Sequence, residues 1–219
     1  MGYTLNFGVV WANFDNLLSG LALGLGLALV AVAIGAVAGL VLAFVAVGPS
    51  RLGRAVVAGY VAVVRNTPIL IIVLMAYFAL PQLGIRLDKT DSFIGSLAIY
   101  SAAYLTEVFR AGLVAVPKGV VEAARAIGLT RVQTSLYVVT PIMLRNALPA
   151  LGSTFISLFK DTSIAAAIAI PELTFQARKI NVESFRVVET WLVTSGLYIA
   201  TCLVIAAGLR RLERLFPKF

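Results

Sequence analysis

The chain has 219 residues, 60% of them hydrophobic and only 13% charged, with a mean hydropathy of +0.97 and a formal net charge of +8. A soluble domain carries charge on about a quarter of its residues, so this composition excludes an ordinary soluble fold and points to a polytopic, all-α membrane protein. With no histidine and a single cysteine, Cys202, a Ser-His-Asp triad, a histidine-bound zinc site and a disulfide within the chain are excluded as well.

The uncharged stretch from Asn16 to Ser50 exceeds the roughly 20 residues needed to cross a bilayer, which predicts a long, tilted first span over 16–47. No basic segment precedes it, and its apolar run is too long for the core of a signal peptide. Gly20 with Gly24 and Gly35 with Gly39 have small-xxx-small spacing, which a packing seam and a Gly/Ala-rich composition explain equally well. Residues 48–66 carry Arg51, Arg54 and Arg65 and read as a connector with a short interfacial helix. Thr67-Pro68 then has the pattern of an N-cap and first-turn proline opening a second span, 67–83, which the turn from Gly84 to Asp91 closes. A third span, 93–116, holds Glu107 and Arg110; a fourth, 147–170, holds Lys160 and Asp161; a fifth covers 190–209. The five spans form a single membrane domain over 1–219.

Charge sets the orientation. Arg51, Arg54 and Arg65, then Arg110, Lys118, Arg125, Arg131 and Arg145 with Glu122, and finally Arg210, Arg211, Arg214 and Lys218 with Glu213, all fall on one side of this topology. The 84–92 and 171–189 loops opposite are balanced. By the positive-inside rule the N-terminus is outside and the C-terminus cytoplasmic, and the basic excess calls for no nucleic-acid partner.

The cytoplasmic loop, 117–146, is too polar to span. Glu122 suits a helix N-terminus, Ala123, Ala124 and Ala126 are strong helix formers, and Gly128 stands where helices stop. Thr130 and Gln133 have capping-box spacing for a second helix, which Pro141 and Pro149 are expected to kink or end. Two readings fit: an amphipathic connector on the membrane surface, or a rigid knob whose small residues let a cytoplasmic partner approach its backbone.

Charged side chains inside a bilayer cost several kcal/mol and usually face a polar cavity or a partner. Lys160 and Asp161 are adjacent and point about 100° apart, so they cannot both face one small ligand. Glu107 and Arg110 share a helix face and can pair. Lys160, Asp161, Thr162 and Ser163 are candidates for the translocation pathway, with interhelical salt bridges as the competing role for the charges; Glu107 and Arg110 are candidates for a gate or a structural ion pair. Tyr77, Phe78, Tyr100, Tyr104 and Trp191 read as interface or packing residues.

Glu122-Ala123-Ala124, then Gly128, then Pro141 thirteen residues further, resembles the EAA loop of the membrane subunits of bacterial ABC importers. Thr140 stands where the family pattern has leucine. Arg65-Asn66-Thr67-Pro68, the run from Ala103 to Arg110, Pro117-Lys118-Gly119 and Lys160-Asp161-Thr162-Ser163 resemble the polar amino acid subgroup of these permeases, the histidine, glutamine and glutamate type. The resemblance implies a type I importer fold in the bacterial cytoplasmic (inner) membrane and import of polar amino acids by alternating access. It also implies coupling through Glu122, Ala123, Ala124 and Gly128 to separate ATPase subunits. A second permease copy or homologue and an extracytoplasmic substrate-binding protein would complete the assembly. ATP and magnesium would be bound by the ATPase; the chain has no GxxxxGK[ST] loop of its own, and no cofactor, metal site or catalytic residue is expected in it. A channel or non-catalytic scaffold subunit is the alternative and would need no such loop. An intramembrane enzyme finds no supporting constellation.

Overall fold

The computed structural model describes residues 3–215, and among them every regular element is helical. A short helix α1 (Gly8–Ala12) leads into α2 (Phe14–Val47), whose 34 residues have a window of mean hydropathy 2.8. At 1.5 Å per residue α2 is about 51 Å long, so it crosses the roughly 30 Å hydrocarbon core with length to spare. Arg54 Nη1 donates to the carbonyls of Gly48 (2.8 Å) and Pro49 (3.1 Å), covering acceptors just beyond the helix end.

Both glycine pairs of α2 are packing seams. A Cβ on Gly39 would lie 3.0 Å from the Ala102 carbonyl oxygen, the Leu105 Cβ and the Thr106 nitrogen, and one on Gly35 would overlap the Ser101 hydroxyl. These contacts join α2 to α5 (Lys89–Val114). Nearer the other end, a Cβ on Gly20 would lie 2.8 Å from the Glu172 carbonyl carbon, and one on Gly24 would lie 3.3 Å from Thr162 Oγ1.

The region expected to be a connector is instead a 16-residue helix, α3 (Arg51–Asn66), capped by Ser50 and buried along Val57, Val61 and Val64. Its Tyr60 hydroxyl donates to the Ile99 carbonyl (2.6 Å), so α3 packs on α5 rather than lying free at the surface. Thr67 does not cap the next helix. Its hydroxyl donates back to Val63 (2.8 Å) and its backbone is extended, because the ring of Pro68 disfavours helical geometry in the residue before it. The chain then turns through 97° into α4 (Ile69–Leu74), which continues as a π turn (Met75–Ala79) and a 3-10 turn (Leu80–Leu83) up to Gly84. Among the described residues four helical stretches are long and apolar enough to span alone, and the count is five when α3 and the α4 path are taken together as one bent span.

The polar loop holds α6 (Lys118–Ala126), ended by Gly128 at φ +90° with the Leu129 N–H returning to the Ala124 carbonyl. Thr130 and Gln133 form the expected capping box over α7 (Arg131–Gln133). Neither Pro141 nor Pro149 ends a helix. A π turn (Thr134–Val139) precedes Pro141, and helix α8 (Thr140–Asp161) runs through Pro149 to a 3-10 turn (Thr162–Ile168). The wider turn absorbs the missing N–H of Pro141, and Thr140 Oγ1 donates to the Ser135 carbonyl there (2.8 Å). The balanced loop 171–189 is a further correction, since it contains helix α9 (Leu173–Ser184). The last span is α10 (Val187–Leu215); Lys218, assigned to the basic tail, lies outside the described residues.

Gly39→Val is expected to destabilise the protein by about 1–3 kcal/mol, because backbone atoms of α5 cannot yield to the new side chain. Gly26→Ala, with nothing within 4 Å of the added carbon, is the matched control expected to stay at or above wild type. Thermal inactivation in detergent compares the two.

Candidate functional site

Tyr100 and Tyr104 stand one turn apart on α5; Ser153, Ser157 and Asp161 stand at one-turn intervals on α8, with Thr154 beside them. These side chains, with Leu158, line a cavity of 330 Å³. The Tyr100 hydroxyl donates to that of Tyr104 (3.0 Å), and their rings lie 4.8 Å apart. From α3, the Arg65 guanidinium stacks over the Tyr104 ring at 4.9 Å from its centre. One turn beyond Tyr104, Glu107 accepts a two-pronged pair from Arg110, Nε to Oε1 at 3.0 Å and Nη2 to Oε2 at 2.6 Å.

The structure separates the pathway candidates. Asp161 alone among residues 160–163 lines the cavity. Lys160 is exposed on another side, as adjacency on a helix requires. Thr162 is buried against Gly24 and donates to the Phe159 carbonyl (2.7 Å), and Ser163 is half-buried in the 3-10 turn. Glu107 and Arg110 form the expected ion pair, with both side chains part-exposed. In the coupling-type loop, Glu122, Ala123 and Gly128 are exposed while Ala124 is buried.

Sequence reasoning did not assign Tyr100, Tyr104, Ser153, Thr154 or Ser157 to the site, nor Arg65 to its border. A polar stripe at one-turn spacing on an otherwise apolar span was the available signal. Glu172 was also missed. Fully buried, it caps α9 by accepting from the Thr174 and Phe175 N–H groups (2.8 Å each) and takes a further bond from the Tyr198 hydroxyl (3.2 Å). Burial pushes the Glu172 carboxyl above its ordinary range, against the opposing pull of those donors.

Residues 35–216 match the family described as the binding-protein-dependent transport system inner membrane component. The glutamine transport system permease protein of Escherichia coli (strain K12) is 34% identical over 211 residues, covering 95% of this chain and 96% of that one. A probable glutamine ABC transporter permease protein of Bacillus subtilis (strain 168) is 41% identical over 72% of this chain and 73% of its own length. The octopine transport system permease protein of Rhizobium radiobacter is 35% identical over 93% of this chain and 87% of its own. Among solved structures, an amino acid ABC transporter crystallised with histidines superposes with a TM-score of 0.88 at 33% identity, covering 97% of this chain and 99% of that one. An inward-facing methionine ABC transporter superposes at 0.74 and 20% identity, covering 98% of this chain and 100% of that one, which is a likeness of fold.

Glu172→Ala is expected to cost about 2 kcal/mol, since it strands two helix N–H groups and leaves the Tyr198 hydroxyl only its bond to Thr174 Oγ1 (2.9 Å). The charge has its own signature. With its folded pKa raised, Glu172 contributes most below the ordinary carboxylate range, and that contribution is lost as pH rises through the raised value. Melting curves of wild type against Glu172→Gln across mildly acidic pH should therefore show wild type gaining on the variant as pH falls.

Proposed function

The chain belongs to the family of binding-protein-dependent transport system inner membrane components, and on that premise we propose that it is the membrane-spanning subunit of an ATP-driven importer of polar amino acids. The observation that carries the reading is the cavity between α5 and α8. It sets a carboxylate and several hydroxyls against helices whose other faces are apolar, which suits a small polar solute and no lipid. The named relatives support the amino acid class.

The chain lacks a phosphate-binding loop, so ATP and magnesium belong to a partner. That partner is an ABC ATPase docking on the cytoplasmic side at α6, where Glu122, Ala123 and Gly128 are open to approach. Ala124 has a different task. It is buried on the inner face of α6, where the helix packs on the π turn leading into α8 and Val121 packs against the cluster of Phe109 and Met143, so that a push on the exposed face reaches the spans rather than the loop alone. A second permease, identical or homologous, closes the pathway from the other side, and an extracytoplasmic binding protein delivers the amino acid near the 84–92 turn and α9. The home of the assembly is the bacterial cytoplasmic membrane. Closure of the ATPase pair would open the cavity outward, and hydrolysis would return it inward, as in alternating access by rigid-body rocking.

Ala123→Trp places a bulky ring on the exposed face of α6 without touching the spans. Co-expressed with its ATPase and binding-protein partners in lipid, this variant is expected to lose about tenfold or more of its amino-acid-stimulated ATP hydrolysis. Full activity would place the coupling surface elsewhere.

A further inference from the structure

At the cytoplasmic end of α2 lies a second hollow, an open groove of 350 Å³ separate from the cavity between α5 and α8. Its walls are Phe44 of α2, Arg131 and Val132 of α7, and Ser135 and Leu136 of the π turn. Two four-residue spacings divide it: Arg131 with Ser135 makes a polar edge, and Val132 with Leu136, together with Phe44, makes the apolar part. Val132 and Leu136 are 67% and 57% exposed, so the chain leaves that part uncovered. Among the described residues Arg131 has no carboxylate within ion-pair distance.

The surroundings identify the occupant. Phe44 stands three residues before the end of α2 and about one turn from Val41. From Val41 an exposed apolar face runs on through Val37, Ile34 and Val30, at the spacing of one side of a helix. That face is the lipid-exposed stripe of the first span, so the groove opens where the stripe reaches the cytoplasmic headgroups. The loop 117–146, which carries Arg131, holds four bases and one acid, and it therefore attracts an anion. An acyl chain and a negative headgroup on one molecule match both halves of the groove and continue the stripe into the bilayer.

We propose that this groove binds an anionic phospholipid of the cytoplasmic leaflet, with its phosphate on Arg131 and Ser135 Oγ and an acyl chain on Val132, Leu136 and Phe44, and that the lipid braces the joint between the coupling loop and the spans. Phe44, Val121 of α6 and Val139 of the π turn all pack against the buried cluster of Phe109 and Met143. A lipid seated between α2 and the π turn thus adjoins the route by which a push on α6 reaches α8, and it fills the space into which the turn would otherwise yield. A zwitterionic lipid fits less well, because its own cation competes with Arg131 for the phosphate.

The test places a photoreactive benzoylphenylalanine at Leu136 in the permease–ATPase complex. The complex is irradiated in nanodiscs of phosphatidylcholine mixed with an equal amount of phosphatidylglycerol, and the adducts are identified by mass spectrometry. Phosphatidylglycerol adducts should exceed phosphatidylcholine adducts about fivefold, which corresponds to about 1 kcal/mol for one basic residue at an anionic surface. Arg131→Gln should abolish the excess, and Arg131→Lys should keep part of it, since a phosphate accepts from either cation. Arg211→Gln, which removes an exposed base from α10 on the same side of the membrane, should leave it intact. Replacing phosphatidylcholine by the mixture should also raise stimulated ATP hydrolysis in wild type and not in Arg131→Gln. Equal yields for the two lipids, an excess that survives Arg131→Gln, or crosslinks to a second permease or to the ATPase in place of lipid overturn the site. Wild-type hydrolysis indifferent to lipid composition overturns the bracing role. Adducts form whether or not the complex imports amino acids, so the lipid site and the transport reading fail separately.

Discussion

At Gly35 and Gly39 two spans meet with almost no side chain between their backbones, and much of the bundle is arranged around that contact. Lipid is as apolar as leucine, so helices in a bilayer gain little by burying apolar surface against each other and depend on close van der Waals fit. The glycines supply the fit. With α2 drawn in, Ser101 on α5 reaches the Ala31 carbonyl (3.3 Å) as well as its own Ala98 (3.1 Å), so a buried hydroxyl is satisfied at the seam. The opposite flank of α5 is then free to face α3 and α8, where Tyr100 and Tyr104 meet Arg65 and Asp161.

Two breaks in regular helix fall next to residues at the cavity. The break at Asn66 to Pro68 comes directly after Arg65, and the α-helix of the fourth span gives way to a 3-10 turn directly after Asp161. Non-helical backbone at membrane depth persists where protein or a polar cavity satisfies it. Thr67 and Thr162 perform that service by bonding carbonyls of the preceding turn, Val63 and Phe159. The same breaks are the natural places for the two spans to flex when access alternates, because a kinked span needs no further hydrogen bonds broken in order to bend.

The far side of the bundle is locked by buried acids. Glu172 starts α9 and ties it to Tyr198 of α10, while Glu189 accepts from the Asn6 N–H (2.8 Å) and from the Tyr3 hydroxyl, with Arg186 beside it at 3.5 Å. Lys89 at the head of α5 donates to the Ala169 carbonyl (2.9 Å), joining the outer ends of spans three and four. Bonds from carboxylates and Lys89 thus tie this end together, while the Gly35–Gly39 seam holds α2 to α5.

Composition and the length of the apolar runs determined that the chain spans a membrane; Thr130, Gln133 and Gly128 determined the turn between α6 and α8, since caps and left-handed turns are local chemistry. Spacing alone fixed the Glu107–Arg110 pair and the divergence of Lys160 from Asp161, because both stem from the pitch of one helix. The motifs also pointed to the permease family before any fold was known. Tertiary structure decided the rest. Whether Gly35 and Gly39 formed a seam depended on what stood opposite, and Ser101, Ala102 and Leu105 lie more than sixty residues along the chain. Arg65, assigned by its neighbours to a connector with a short interfacial helix, came to border the site only when α3 folded onto α5 and laid its guanidinium on Tyr104. Periodicity reports which residues share a face of one helix, and it carries no information about which face of another helix is pressed against it.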